Sequence, residues 1–217
     1  MRRTRIHAGL RTVTALKFRI ALAWALMLVP VPSMATEQWV SDAKLIAKSL
    51  GSEECSLLHQ KRDQNDDPFK PELYTFEHQS QYQDQPSLYR LVRVPCWLGA
   101  YNQGDAYVLF ERNGAGRLVS FAVPQYNVER ETDDFESPVK NISITGYSAR
   151  NTVVMSDFDP KTLTISEFNK SRGLGDAFTT GEWRFDGYGF TLKAYAVDAS
   201  YDGESSATPI VNFQDSR

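Results

Sequence analysis

The hydrophobic residues follow two different periodicities along the chain. Between residues 37 and 50 they recur at intervals of three and four, which predicts an amphipathic helix that ends near Gly51. Residues 60–71 are polar and acidic and contain two prolines, so they predict a loop. Beyond residue 88 the apolar runs become short and are separated by turn-forming residues, which predicts strands.

The strand pattern recurs in seven or eight short segments. They are 89–95, 106–111, 118–123, 139–147, 152–155, 163–168, 182–185 and 189–197. Turn-forming residues at 113–116, 157–161 and 186–187 predict three hairpins, and the acidic stretch 130–138 predicts a linker that divides the β region. The predicted fold class is α+β, mainly antiparallel β in a sandwich or barrel-like arrangement, with the N-terminal helix packed on one face or edge.

The first 35 residues have the pattern of a secretory signal peptide. They contain six Lys and Arg residues and no acidic residue, then an apolar run at 20–29, two prolines and the small-residue sequence Ser33-Met34-Ala35. The apolar run of about ten residues is shorter than the roughly 20 that a membrane-spanning helix needs, which disfavours an uncleaved anchor. We therefore expect a signal peptide at 1–35, and a single β-rich domain with an N-terminal helical segment at 36–217.

Removal of the predicted leader after Ala35 makes the chain distinctly acidic. The whole chain of 217 residues has a net charge of −3, from 24 Lys and Arg and 27 Asp and Glu. The leader holds six of those bases and no acid, so residues 36–217 carry 18 bases, 27 acids and a net charge of −9. Such a surface disfavours binding to nucleic acid, and no stable membrane insertion is expected after cleavage. The expected location is the periplasm.

The two cysteines of the chain, Cys55 and Cys96, both follow the leader. Because an exported chain meets an oxidising compartment, an even pair of cysteines predicts one disulfide bond. The bond would close a loop of about 40 residues, which contributes roughly 4 kcal/mol in the chain-entropy account. The alternative is a redox or nucleophilic cysteine, which has less support because no Cys-x-x-Cys motif occurs.

Two stretches carry motifs that are more specific than composition. The first, at 94–102, reads VPCWLGAYN; the second contains FDP at 158–160, KSRGLGD at 170–176, WRFDG at 183–187 and FTL at 190–192. In this order they resemble a bacterial family of exported proteins known as domain-of-unknown-function family 1176. That family shows a cysteine followed by GAYN, an Asp-Pro turn, a Lys-Gly-Arg-Gly-Leu-Gly-Asp segment and a Trp-x-x-Asp-Gly hairpin. The resemblance covers about residues 88–195.

The chain departs from the family pattern in one respect. The family usually has a cysteine directly after the Gly-Asp of the glycine-rich segment, which pairs with a later cysteine. Here that position is Ala177, and the region of the expected partner, 201–204, contains no cysteine. The resemblance therefore implies a dispensable second disulfide, and it transfers no activity and no catalytic residue.

The glycine-rich loop from Arg172 to Asp176 is the most distinctive candidate for ligand binding. Its glycines can present backbone N–H groups to an anion, and Lys170 and Arg172 add positive charge. The loop lacks the spacing of a phosphate-binding P-loop. The alternative is structural: the glycines form a tight corner across which Arg172 and Asp176 pair.

No sequence pattern for catalysis, a metal or a cofactor stands out. The two histidines beyond the leader, His59 and His78, lie in polar surroundings, and neither a G-x-S-x-G motif nor a zinc-binding spacing occurs. Asp157 and Asp159, and a second aspartate pair near Gly203, could offer oxygen ligands to calcium, but they predict turns because no calcium-binding loop follows them. We predict no metal and no cofactor.

Aromatic residues of the strand region could form a platform for a glycan or peptide, or they could belong to the core. They are Trp97, Tyr101, Tyr107, Trp183 and Tyr188. Together with the two motif stretches they define the candidate binding residues, which are Tyr101, Asn102, Lys170, Arg172, Asp176 and Trp183.

The favoured functional interpretation is a periplasmic, non-catalytic binding or interaction module. Its partner would be a protein or a glycan, and its binding surface would combine the loop at 99–102 with the loop at 172–176. One alternative is a hydrolase of envelope polymers, with Asp176 or Glu182 as acid or base near Arg172. Another is a structural component of the envelope.

Overall fold

A helix leads into twelve strands in the part of the chain that the computed structural model describes, residues 34–60, 69–111 and 113–213. The strands are β1 (Glu72–His78), β2 (Ser87–Leu98), β3 (Gln103–Phe110), β4 (Gly116–Leu118), β5 (Phe121–Arg130), β6 (Val139–Arg150), β7 (Thr152–Val154), β8 (Asp157–Asp159), β9 (Thr164–Lys170), β10 (Phe178–Phe185), β11 (Phe190–Asp198) and β12 (Thr208–Asn212). The predicted leader lies outside the described residues, apart from 34 and 35.

The helical region comes first. Helix α1 spans Met34–Lys48, which confirms the helix predicted from the three- and four-residue spacing. A single helical turn, α2 (Gly51–Glu54), and a short 3-10 helix (Ser56–His59) follow it. Ala43 and Ala47 of α1 are completely buried. Small side chains at this four-residue spacing allow the helix backbone to lie close to the sheet beneath it.

The first sheet has the strand order β1-β2-β3-β4, and β7 pairs with the other part of β3. All of these pairs are antiparallel. The predicted hairpin around residues 113–116 is confirmed, because β4 pairs with β3. The strand predicted at 118–123 is wrong in its limits: β4 ends at Leu118 and β5 begins at Phe121 and leaves the sheet.

The second sheet has the strand order β12-β11-β10-β9-β8, again with antiparallel pairs. The hairpin predicted at Asp186-Gly187 joins β10 to β11 and is confirmed. The predicted turn at 157–161 is wrong in part, because Asp157–Asp159 is itself a strand that pairs with β9. The preceding strand, β7, pairs with β3 of the first sheet instead.

A long hairpin of β5 and β6 forms a separate two-stranded sheet. The sequence predicts that the stretch 130–138 is a linker that divides the β region, and this prediction is wrong. The stretch is the loop of this hairpin, closed by a hydrogen bond of 3.0 Å from Glu131 N to Pro138 O. The hairpin packs on the core through Phe121, which is fully buried, and the Trp183 indole of β10 donates to Ala122 O over 2.8 Å.

Strands β2 and β3 are buried on both faces, which creates a layered arrangement. Leu91, Tyr107 and Leu109 face a core shared with the second sheet and the long hairpin. Their neighbours along the strands, such as Val92 and Val108, face a second cluster formed with α1. Since side chains alternate across a strand, each of the two strands can serve both layers. The helix therefore packs on a face, and the sandwich-like, mainly antiparallel α+β fold class is confirmed.

Among the described residues, no helix combines the length and apolar character that crossing a membrane would require.

Candidate functional site at the loop end

Four loops meet at one end of the strands, and we refer to them together as the loop end. They are 99–102 between β2 and β3, 131–138 between β5 and β6, 171–177 between β9 and β10, and 199–207 between β11 and β12. Ring contacts and hydrogen bonds link each loop to the next, as the following contacts show. Loops that are held by a rigid β scaffold are frequent sites of binding function.

Asn102 joins the first motif loop to the end of β9. Its Nδ2 donates to Lys170 O over 2.9 Å and to Asn169 Oδ1 over 3.2 Å, while its Oδ1 accepts from Lys170 N over 3.3 Å. The side-chain amide therefore pairs with the backbone of residue 170 as another strand would. Next to it, the Tyr101 hydroxyl donates to Ser171 O over 2.9 Å.

The Arg172–Asp176 ion pair holds the second motif loop. Arg172 Nε donates to Asp176 Oδ1 over 2.6 Å, and its Nη2 donates to Asp176 Oδ2 and to Tyr201 O, the latter over 2.9 Å. Asp176 Oδ2 also accepts from Gly203 N over 2.9 Å. The pair therefore binds loop 171–177 internally and attaches it to loop 199–207.

Glycines shape this loop for two physical reasons. Gly175 has a φ of +77°, in the left-handed region that favours glycine. A Cβ on Gly173 would lie 3.6 Å from Tyr101 Cδ1, so the Tyr101 ring rests directly on the loop backbone. The structural interpretation of these residues, a tight corner with a paired Arg and Asp, describes the observed geometry.

Electrostatics make Asp176 a poor candidate for acid catalysis. Hydrogen bonds from the Arg172 guanidinium, helped by the Gly203 N–H, lower the pKa of Asp176 to about 2 although burial acts in the opposite direction. A general acid works best with a pKa near the operating pH. Asp176 is therefore ionised at neutral pH, with both oxygens accepting hydrogen bonds, and Glu182 lies in the middle of β10 rather than in a loop.

Apolar side chains remain exposed around the ion pair. Leu174, at the tip of the glycine-rich loop, is 73% exposed, and Phe135 of the hairpin loop is 61% exposed. Phe135 meets the Tyr201 ring edge to face at a centroid distance of 5.7 Å. The Arg172 guanidinium carbon lies 5.2 Å from the centroid of the same Tyr201 ring. Tyr101 completes the set at 40% exposure. The loop end thus presents hydrophobic groups on an ordered polar support.

Four of the six candidate binding residues lie at the loop end, namely Tyr101, Asn102, Arg172 and Asp176, and Lys170 lies next to it as the last residue of β9. Trp183 does not. It is completely buried in the core, and its indole N–H is bound to the backbone of β5. A side chain without exposed surface cannot contact a ligand at the surface, so the structure removes Trp183 from the candidate site. The proposed aromatic platform also loses Tyr107, which is fully buried.

Sequence reasoning missed three residues of the loop end: Phe135, Leu174 and Tyr201. Phe135 lies in an acidic stretch whose composition is typical of a linker, and Leu174 lies within the glycine-rich motif between charged neighbours that are the more conspicuous candidates. Tyr201 has a φ of +60° and supplies both a ring and a carbonyl oxygen to Arg172. Its signal was indirect, because it lies in the region where the family has its later cysteine.

The two segments that the resemblance expects a second disulfide to join are in contact. Ala177 follows Asp176 directly, and Asp176 contacts the backbone of Gly203 in the segment 201–204. Loops that the family resemblance would join by a covalent bond are therefore adjacent here, and polar contacts join them. Arg172 makes the second of these contacts through Tyr201 O.

The predicted disulfide between Cys55 and Cys96 is present, and it lies in the buried cluster on the helix side of the first sheet. Of the aspartates considered for calcium, Asp159 serves a turn, because its Oδ1 accepts from Lys161 N over 2.8 Å, whereas Asp157 lies in strand β8. Within residues 34–60, 69–111 and 113–213, no three His, Cys, Asp or Glu residues are grouped so as to hold a metal ion.

Comparison with known proteins agrees with the motifs. The Escherichia coli (strain K12) "Uncharacterized protein YpfG" is 30% identical over 114 residues, which are 52% of this chain and 28% of that protein's length. No solved structure matches the chain. The family model described as "Protein of unknown function (DUF1176)" matches residues 29–209. Since this match covers most of the chain and agrees with the resemblance seen in the two motif stretches, the chain belongs to the DUF1176 family of proteins of unknown function.

Proposed function

We propose that this protein is an exported, non-catalytic binding module of the bacterial periplasm, and that the loop end contacts its partner, a protein or a glycan. The basic leader with its short apolar run supports export, and the disulfide supports an oxidising compartment. Residues 36–217 would act as a single domain after cleavage following Ala35.

The observation that carries the proposal is the exposure of Leu174 on a tightly held loop. An Arg–Asp pair, a bridging Asn and two glycines fix the backbone on both sides of it, yet its own side chain is 73% exposed. Ordering a loop in advance reduces the entropy lost when a partner binds. A fixed loop with a bare apolar tip, flanked by the exposed rings of Phe135 and Tyr101 on neighbouring loops, therefore suits recognition of a partner.

The hydrolase alternative receives less support from the same residues. Asp176 is ionised and fully engaged in hydrogen bonds, so it would have to lose those bonds before it could accept or donate a proton. The charged groups of the motif are therefore better explained as supports for the loop than as reacting groups.

Site-specific photocrosslinking in intact cells tests the binding proposal. A photoreactive phenylalanine analogue would replace Leu174 in one variant and Tyr82 in another. Tyr82 is a matched control because it is 80% exposed but lies in the turn before β2, at the other end of that strand from loop 99–102. We expect a discrete adduct from position 174 and none from position 82.

A further substitution distinguishes specific recognition by the loop from nonspecific crosslinking of an exposed side chain. Arg172→Ala should loosen the loop and reduce the adduct at position 174, while the thermal unfolding of the protein shows that the fold survives. If position 174 yields no adduct and the purified protein binds no glycan on an array, the loop end is not a binding surface. N-terminal sequencing of the exported protein tests the location, with Thr36 as the expected first residue.

A further inference from the structure

A groove lies on the opposite side of the first sheet from the second sheet, between α1, the 3-10 helix and β2. Its volume is about 670 Å³, within the range of about 300–1,000 Å³ that small-molecule sites occupy. Apolar side chains line it from several elements, including Val40 of α1, Leu57 and Leu58 of the 3-10 helix, and Val94 of β2. We call it the helix groove.

The disulfide fixes the back wall of the helix groove. Cys55 directly precedes the 3-10 helix that carries Leu57 and Leu58, and Cys96 directly follows Val94 and Pro95 of β2. Both cysteines are completely buried. The covalent bond therefore holds two walls of the groove together, so the groove is formed before any ligand arrives.

The charge around the helix groove is opposite to that of the domain. Lys44 and Lys48 lie one helical turn apart on α1, and Lys70 lies before β1; all three line the groove. None of the three forms an ion pair with any residue of the described ranges. Glu37 is the one acidic residue among the described lining residues. In a region with a net charge of −9, this is a local positive rim on an apolar floor.

Leu45 adds an apolar contact at the edge of the helix groove. It lies next to Lys44 on α1, lines the groove, and is 68% exposed. An exposed leucine beside two lysines extends the apolar surface outward from the floor to the charged rim. The groove therefore offers a continuous path from buried apolar side chains to ammonium groups.

We propose that the helix groove binds a free amphiphile with one anionic head group and an unbranched alkyl tail, such as a fatty acid. The tail lies along Val40, Leu57 and Leu58, and the head group meets the ammonium groups of Lys44, Lys48 and Lys70. This site is separate from the loop end, and the inference does not depend on the proposed function.

Charge complementarity selects this occupant over two others. The leader of the chain is apolar in part but carries six bases and no acid, so the lysine rim repels it. An acidic peptide would satisfy the lysines but would leave the apolar floor without a matching surface. An anionic amphiphile matches both parts of the groove.

Titration of the purified, disulfide-bonded protein with amphiphiles below their micelle concentration tests the proposal. Because each buried methylene contributes about 0.8 kcal/mol, affinity should rise about fourfold per methylene from octanoate to dodecanoate. Dodecanoate should bind more tightly than dodecyltrimethylammonium, which has the same tail and the opposite charge. Equal affinity for the two, or no dependence on tail length, would overturn the proposal.

Charge-reversal variants locate the site. K44E/K48E should weaken dodecanoate binding by about tenfold or more and should narrow the difference from the cationic amphiphile. K140E/K161E is the matched control, because it makes the same charge change at two exposed lysines that do not line the groove, and it should leave affinity nearly unchanged. Equal losses in both variants would mean that only the overall charge matters and would refute the assigned site.

Two further measurements test the apolar contact at the edge of the groove and the chemical class of the ligand. Leu45→Asp should weaken binding of dodecanoate with little change in thermal unfolding, since the side chain is mostly exposed. Tighter binding to vesicles of anionic phospholipid, or to an acidic peptide, than to dodecanoate would assign the groove to a different ligand and contradict the proposal.

Discussion

The two faces of the first sheet are covered by buried side chains of different kinds. The face toward the second sheet has a core of 17 buried residues, nine of them aromatic. The face toward α1 has a cluster of nine buried residues, of which only Phe110 is aromatic, and it contains the disulfide. The same two strands, β2 and β3, supply side chains to both faces.

The difference follows from what each face must contact. Two sheets pack about 10 Å apart, a gap that large rings fill well. A helix that buries Ala43 and Ala47 can lie close to the sheet, and the buried side chains beside it are mostly small, such as Val92 and Val94. The smaller cluster removes less apolar surface from water, and the covalent bond between Cys55 and Cys96 compensates for this.

The largest expected effect comes from the aromatic core. Trp183→Ala should lower the free energy of unfolding by about 3–5 kcal/mol, because it leaves a cavity and removes the hydrogen bond to Ala122 O. Trp39→Ala on α1, where the ring is only partly buried, should cost less than half as much. Urea unfolding followed by circular dichroism measures both, and an equal or larger loss for Trp39→Ala would contradict the comparison.

The second effect concerns the helix side. C55S/C96S should lower the free energy of unfolding by about 2–4 kcal/mol. Hydrogen exchange should rise first in α1 and the 3-10 helix, because the bond joins that region to β2, while β10 and β11 keep their protection. Uniformly faster exchange across both sheets would show that the disulfide stabilises the whole domain rather than the helix side alone.

A third change tests how closely α1 approaches the sheet. Ala47→Leu adds volume at a completely buried position and should destabilise the protein by about 1–3 kcal/mol. Ala149→Leu, on the exposed side of β6, should change stability by no more than about 0.5 kcal/mol. If Ala47→Leu were equally well tolerated, the helix would not be in close contact with β2 and β3.

The smallest expected effect is a change in how the free energy of unfolding depends on acidic pH. A substitution at Asp176 should alter this dependence, and a substitution beneath α1 should not. Asp176, in the loop before β10, has a pKa lowered to about 2, so its contribution to stability is complete above about pH 4 and is lost as the pH falls toward 2. Asp176→Asn should therefore lose less stability than the wild-type protein between pH 5 and pH 2.5. The buried cluster beneath α1 contains no carboxylate among its described members, so Ala47→Leu should follow the wild-type acid response.

Local patterns predicted much of this fold. The helical spacing found α1, and the turn residues found the β3–β4 and β10–β11 hairpins, because these elements depend on neighbours in the chain. The same local patterns do not predict which sheets the short strands β7 and β8 join. Their pairing depends on the assembled sheets, since β7 pairs with β3, some 50 residues earlier in the chain, whereas β8 pairs with β9. The charged stretch 130–138 looked like a linker because its loop is long and polar.

The candidate site was predicted in part for a similar reason. The motif residues Asn102, Arg172 and Asp176 stand out in the sequence, and the structure brings them together. Trp183 has the same appearance in the sequence, since it also belongs to a motif, but it packs in the core. Whether a conspicuous aromatic residue faces a ligand or a core depends on which face of its strand is covered, and that is a property of the assembled sheets.

The sequence by itself determined the helix, the β-rich character, the acidic charge, the pairing of the two cysteines and the family. These follow from local periodicity, from composition and from motifs, which need no knowledge of distant contacts. The tertiary structure decided that β2 and β3 serve two cores, that Phe135 and Arg172 lie beside Tyr201, and that the lysines of α1 border an apolar groove. Each of these depends on packing between segments far apart in the chain, where burial of apolar surface and satisfaction of polar groups select one arrangement from many.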